Sequence, residues 1–95
     1  MNETNSLRRE TYVAASKFHQ AYERVFVCLS KERRPDAIKA AGEARAIGAE
    51  YQTALKELIK HLAAQGPQFR DELMKTQQLA ETLEKELAGL DPYKT

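Results

Sequence analysis

Two histidine–glutamate pairs are the residues whose types and spacing could support chemistry. His19 is followed by Glu23, and His61 is preceded by Glu57, each four residues away. On a helix, residues four apart lie on one face, so either pair could supply two ligands to a metal ion. The same spacing is also typical of an ordinary exposed ion pair. Because no second histidine or cysteine accompanies either pair, we expect no metal site.

Motifs of catalysis are absent from the sequence. It contains no nucleophile elbow, no phosphate-binding glycine loop and no zinc-ligand spacing. The single cysteine, Cys28, cannot form an internal disulfide, which fits a reducing cytosol and a cytoplasmic location. We interpret Cys28 as a small apolar residue in a helix seam rather than as a redox or catalytic group. The sequence therefore predicts a protein that is not an enzyme and uses no cofactor.

Basic residues form two clusters along the chain. Arg8 and Arg9 lie near its start, and Lys31, Arg33 and Arg34 follow about one third of the way along. Such residues could contact phosphates, so a nucleic-acid-binding accessory protein is the alternative function. A net charge of only +1 argues against it, and helix C-termini favour basic residues in any case. We therefore do not expect nucleic acid as the partner.

Length and composition indicate one small domain. The chain has 95 residues, of which 42% are hydrophobic and 31% charged, so it is too apolar to be disordered and too charged to be embedded in a membrane. No apolar run approaches the ~20 residues that a membrane-spanning helix needs, and we expect no signal peptide. We predict a single helical domain over residues 1–95, with neither a membrane nor a small-molecule substrate as its partner.

Spacings of three and four between apolar residues indicate amphipathic helices throughout. Pro35 separates the first helix from the second, and Gly66 with Pro67 separates the second from the third. Because both turns are short, consecutive helices should be antiparallel neighbours. The predicted fold is all-α, either an antiparallel three-helix bundle or a long helical hairpin with a third helix packed back. Its predicted elements are helices at about 6–33, 36–65 and 67–88, and a loose tail at 91–95.

The N-terminal half of the second helix is unusually rich in small residues. Ala40, Ala44 and Gly48 are each four apart and form a ridge with almost no side chain. A glycine inside a helix costs about 1 kcal/mol relative to alanine, so we interpret the ridge as a place of close helix packing. Large residues of the first helix are expected opposite the ridge: Phe18, Tyr22 and Phe26.

The first helix carries a second apolar row besides the one that would face its neighbour. Tyr12, His19 and Phe26 are seven residues apart, and Val13 and Val27 lie beside them. A helix in a plain two-helix hairpin needs one apolar face, so either the third helix covers this second row or another chain does. We take these five residues as the candidate partner-binding residues.

The surplus of apolar surface favours protein binding as the function. We expect a non-catalytic module, which would be a small cytoplasmic adaptor, chaperone or regulatory antagonist. It would lay an apolar helix face against another protein or against a second copy of itself, as a homodimer.

Overall fold

Three α-helices and one short 3₁₀ helix make up the computed structural model, which describes residues 3–90. In chain order they are α1 (Glu3–Ser30), α2 (Arg34–Ala64), the 3₁₀ helix (Pro67–Phe69) and α3 (Arg70–Leu90). α1 packs along α2, and α3 packs against α2. The prediction of an all-α fold with a third helix packed back is confirmed. The predicted tail at 91–95 lies outside the described residues.

The helix α2 holds the other two together. Within residues 3–90, no Cα atom of α1 lies within 8 Å of a Cα atom of α3, so the backbones of both helices approach α2 and not each other. The core consists of small residues in the first half of α2 and larger side chains from all three helices. The largest fully buried side chains are Phe18, Val25, Leu55, Leu62, Leu83 and Leu90.

The first turn ends α1 earlier than predicted. Glu32 has a left-handed backbone conformation, with φ of 58°. The N–H of Glu32 donates to the carbonyl of Leu29 at 3.0 Å, and that of Arg33 donates to the carbonyl of Cys28 at 2.9 Å. This pair of hydrogen bonds is the Schellman motif, in which glycine is the usual left-handed residue. The motif closes α1 at Ser30, so the predicted continuation to residue 33 is wrong.

The other helix ends also differ in detail from the sequence prediction. The described part of α1 already begins at Glu3, before the predicted start at about residue 6. α3 runs through Gly89 to Leu90, because the Leu90 side chain is buried and its carbonyl oxygen accepts a hydrogen bond from Arg45 Nη1 at 2.9 Å. A side-chain donor from α2 thus bonds a carbonyl oxygen in the last described turn of α3.

The second turn has the predicted glycine. Gly66 has φ of 95° and ψ of −170°, a combination that is almost restricted to glycine. Pro67 follows it and begins the 3₁₀ helix. The chain therefore reverses direction between α2 and α3 at a residue without a side chain.

At Gly48 of α2, side chains of α1 and α3 come close to the same point of the backbone. A Cβ atom at this position would lie 3.0 Å from Phe18 Cε1 of α1 and 2.5 Å from Leu87 Cδ2 of α3. Phe18 is thus opposite the small-residue ridge, as predicted. Phe26 is not, because it follows Phe18 by eight residues, which turns it about 80° away from the seam. Tyr22 lies between them and is half-buried against the core.

Candidate partner-binding face

The buried positions of α1 repeat every seven residues. Thr4, Thr11, Phe18 and Val25 are all buried. In a helix bundle, the two positions after each such residue usually carry polar side chains that face solvent. In α1, the two positions after each of Thr11, Phe18 and Val25 are exposed, and four of these six positions hold large apolar residues. The six residues are Tyr12, Val13, His19, Gln20, Phe26 and Val27.

The five candidate partner-binding residues therefore lie outside the core. We call Tyr12, Val13, His19, Phe26 and Val27 the outer face of α1. Tyr12 is 73% exposed and Phe26 is 48% exposed, while the two valines are also about half exposed. The sequence left open whether α3 covers the row, and the structure shows that α3 leaves it uncovered.

A chain of aromatic rings connects the outer face to the core. The ring of Tyr51 lies 6.0 Å from that of Phe18, which lies 5.4 Å from that of Tyr22. Tyr22 in turn meets Phe26 edge-on, with ring centroids 5.0 Å apart. Such edge-on pairs are favourable beyond their buried area. Phe26 is therefore supported from one side by a half-buried neighbour, while its remaining surface faces solvent.

The five residues wrap around α1 rather than forming one stripe. Arg8 reaches α3 through Glu72, which identifies the side of α1 that is turned toward α3. Phe26 follows Arg8 by five full turns and Tyr12 is rotated from it by about 40°, so both are on that side. Val13 instead lines an open groove of about 380 Å³ between α1 and α2. The structure thus brings Tyr12 and Phe26 to one side of the helix and Val13 to another.

Two further apolar residues are exposed on α3. Met74 and Leu79 are each about half exposed. Leu79 follows the buried Thr76 by three residues and precedes the buried Leu83 by four, so its spacing alone would predict burial. It stays uncovered because the backbone of α1 does not approach α3. The sequence carries no signal that separates Leu79 from its buried neighbours.

The two histidines lie in different settings. His61 is held against α1, where its Nε2 shares a hydrogen bond of 2.6 Å with Thr4 Oγ1 and its Nδ1 lies 4.0 Å from Glu3 Oε2. His19 lies exposed on the outer face. Among residues 3–90, the histidine, cysteine and acidic side chains form no group of three that could hold a metal ion. The His61–Thr4 contact joins the end of α2 to the start of α1, which sequence spacing could not reveal.

Arg8 is engaged by a carboxylate of α3. Its Nε donates to Glu72 Oε2 at 2.7 Å and its Nη2 to Glu72 Oε1 at 2.5 Å, while its Nη1 donates to Asn5 Oδ1 at 3.0 Å. The guanidinium carbon also lies 5.8 Å from the centroid of the Phe69 ring. The hydrogen bonds from Arg8 hold the pKa of Glu72 below its usual value. This fork-shaped contact is the geometry that arginine and carboxylate groups prefer.

The second basic cluster lies far from Arg8. Lys31, Arg33 and Arg34 are exposed around the turn between α1 and α2. Arg8 and Lys31 are separated by 23 residues, or about 35 Å of helix and turn. The two clusters therefore do not form one basic patch.

Cys28 packs at the seam between α1 and α2. It is half-buried against the core, beside the ridge residue Ala40. Nearby, Arg24 Nη1 and Glu43 Oε2 are 3.6 Å apart and join the two helices at the surface. This placement agrees with the interpretation of Cys28 as a small apolar seam residue.

In the comparison with known proteins, no family model, no curated protein and no solved structure matches the chain. Within residues 3–90, none of the helices combines the length and the apolarity that crossing a lipid bilayer requires.

Proposed function

We propose that this protein is a non-catalytic protein-binding module that acts through the outer face of α1. It would serve as a small cytoplasmic adaptor, chaperone or regulatory antagonist. The observation that carries the proposal is the exposure of Tyr12, Phe26 and Val27 at helix positions that are normally polar. The partner is another protein that offers an apolar helix or groove, or a second copy of this chain.

The physical support comes from apolar surface on the outer face that folding does not bury. Burying one large apolar side chain is worth about 1.5–3 kcal/mol, and the fold gains only part of this from Phe26 and almost none from Tyr12. A partner that covers both rings gains what the fold does not. Exposed apolar clusters on small proteins commonly mark such contact sites.

Arg8 helps to separate this proposal from the nucleic-acid alternative. To contact a phosphate, the guanidinium of Arg8 would first have to give up its hydrogen bonds to Glu72. The basic residues at the turn between α1 and α2, which are Lys31, Arg33 and Arg34, lie at the opposite end of α1 from Arg8. Retention on DNA or RNA that falls steeply with salt would favour the alternative.

The test is a double substitution, Phe26→Asp with Val27→Asp. We expect it to leave the helical circular dichroism signal largely unchanged, because both side chains are already about half exposed. Light scattering should show a lower solution mass than the unmodified protein if the partner is a second copy. If the unmodified protein is a monomer, the variant should lose a partner that the unmodified protein captures from its native cell.

The matched control is Gln77→Asp with Thr82→Asp, two exposed polar positions of α3 that receive the same change in charge. It should keep both the solution mass and the captured partner. The proposal fails if the Phe26/Val27 variant unfolds, since these residues would then belong to the core. It also fails if both variants behave like the unmodified protein in mass and in capture.

A further inference from the structure

The helix α3 has fewer buried residues than α1 or α2. Of its 21 residues, only Thr76, Leu83 and Leu90 are buried, whereas nine residues of α2 and five of α1 are buried. Elements with few buried contacts open at lower free-energy cost than the rest of a fold. With the fewest buried residues, α3 is the helix whose separation removes the fewest residues from the core.

The packing of α1 on α2 does not involve the backbone of α3. α1 packs along α2 over most of its length, and within residues 3–90 its backbone has no close approach to α3. Val25 on α1 and Ala37 and Ala41 on α2 are fully buried in the part of the chain that α1 and the first half of α2 form. The packing of α1 on α2 at these residues involves no close approach of the α1 and α3 backbones.

Two polar contacts of α3 reach the other helices, and only the first is exposed to water. Near its start, the Arg8–Glu72 pair is partly exposed, with 41% and 32% of the two side chains accessible. At its end, Arg45 Nη1 donates to the carbonyl oxygen of Leu90. Exposed ion pairs contribute little net stability, since water replaces the lost interaction. The ion pair near the start of α3 therefore does little to hold this helix, whereas the buried Leu90 and its bond to Arg45 hold the last described turn.

The connection between α2 and α3 can act as a pivot. Residues Gln65 to Gln68 are all exposed, and a Cβ atom at Gly66 would meet no atom within 4 Å. Glycine has access to backbone conformations that other residues avoid. The chain can therefore change direction at Gly66 without displacing packed side chains.

We propose that α3 opens as one unit about Gly66 while the α1–α2 hairpin stays folded. Opening uncovers the strip of α2 around Gly48 that Leu87 occupies in the closed molecule. This conformational change concerns a different surface from the outer face of α1 and stands independently of the proposed function.

Native-state hydrogen exchange of the full chain, at increasing denaturant below the unfolding transition, tests this inference. The slowest amides of α3 should exchange on the order of tenfold faster than the slowest amides of α2, with a weaker dependence on denaturant, because opening exposes less surface than global unfolding.

Two substitutions sharpen the test. Leu83→Ala destabilises only the closed state and should accelerate the slowest amides of all three helices. Val25→Ala weakens the hairpin in both the closed and the open state, so it should accelerate the amides of α1 and α2 and leave those of α3 unchanged. If the slowest amides of all three helices exchange at one common rate, and both variants accelerate them equally, the molecule is one cooperative unit and the inference is overturned.

Discussion

Phe18 and Phe26 show how differently one helix can use the same residue type. The two phenylalanines are eight residues apart on α1, yet Phe18 is fully buried and Phe26 is 48% exposed. Phe18 occupies the space left by the missing side chain of Gly48, while Phe26 meets the edge of Tyr22. The inner face of α1 thus stabilises the fold, and the outer face leaves its apolar surface to water.

This difference teaches that the periodicity of a helix identifies apolar faces but not the neighbours that cover them. Both faces of α1 repeat every seven residues and both contain aromatic rings. α2 covers one, and α3, which could have covered the other, docks on α2 instead. Substitutions on the two faces should therefore have sharply different consequences.

The largest effect is expected at the inner face, from Phe18→Ala. Removing a fully buried aromatic side chain leaves a cavity and should lower the free energy of unfolding by about 3–5 kcal/mol. That is a large fraction of the total stability of a small domain. Urea denaturation followed by circular dichroism measures it. A loss below about 1 kcal/mol would show that Phe18 is not a core residue.

The second effect compares two glycines of α2. Gly48→Ala places a methyl group against Phe18 and Leu87 and should lower the free energy of unfolding by about 1–2 kcal/mol, even after the gain in helix propensity. Gly42→Ala is the matched control, because its Cβ would meet only Arg45 Nη2 at 3.7 Å. It should stabilise the protein by about 0.5–1 kcal/mol. Thermal unfolding of both variants decides, and equal shifts of the same sign would contradict the close approach at Gly48.

A much smaller effect is expected at the outer face, from Tyr12→Ala. Tyr12 is 73% exposed, so its truncation should change the free energy of unfolding by no more than about 0.5 kcal/mol. The same urea titration that measures Phe18→Ala provides the comparison. A loss approaching that of Phe18→Ala would remove the distinction between the two faces.

The smallest effect concerns the contact that links α1 to α3. Because Arg8 lowers the pKa of Glu72, the pair stabilises the fold above the usual glutamate pKa, and this contribution is lost as the pH falls through the lowered value. In the Glu72→Gln variant, the free energy of unfolding should therefore fall slightly less steeply as the pH is lowered. Unfolding measured between pH 2 and 7 tests this. Superimposable acid limbs for the variant and the unmodified protein would show that the pair contributes nothing.

The sequence predicted the helices well because their period is local. Pro35 and Gly66 act on their own turns, and the small residues before and at Gly48 predicted close packing with Phe18. The end of α1 was harder to predict, because its left-handed residue is Glu32 rather than a glycine. At this helix end the local signal failed because the chain departs from the residue preference of the motif.

The candidate site could be predicted only as a set of residues. The outer face was selected from spacing, but its exposure depends on where α3 docks, which is a property of three helices together. The same holds for Leu79, whose spacing matches that of its buried neighbours. Contacts such as Arg8 with Glu72 join positions 64 residues apart and leave no trace in the local pattern.

The lack of a side chain at Gly48 also fixes the axial alignment of the helices. A smooth helix could slide by one turn against its neighbours and still bury a similar surface. Here a turn of sliding would bring Phe18 of α1 opposite Ala44 or Gln52, where a Cβ atom already occupies the space. The tip of Leu87 enters the same notch from the other side. The absence of a side chain at Gly48 thereby fixes the axial position of both α1 and α3 along α2.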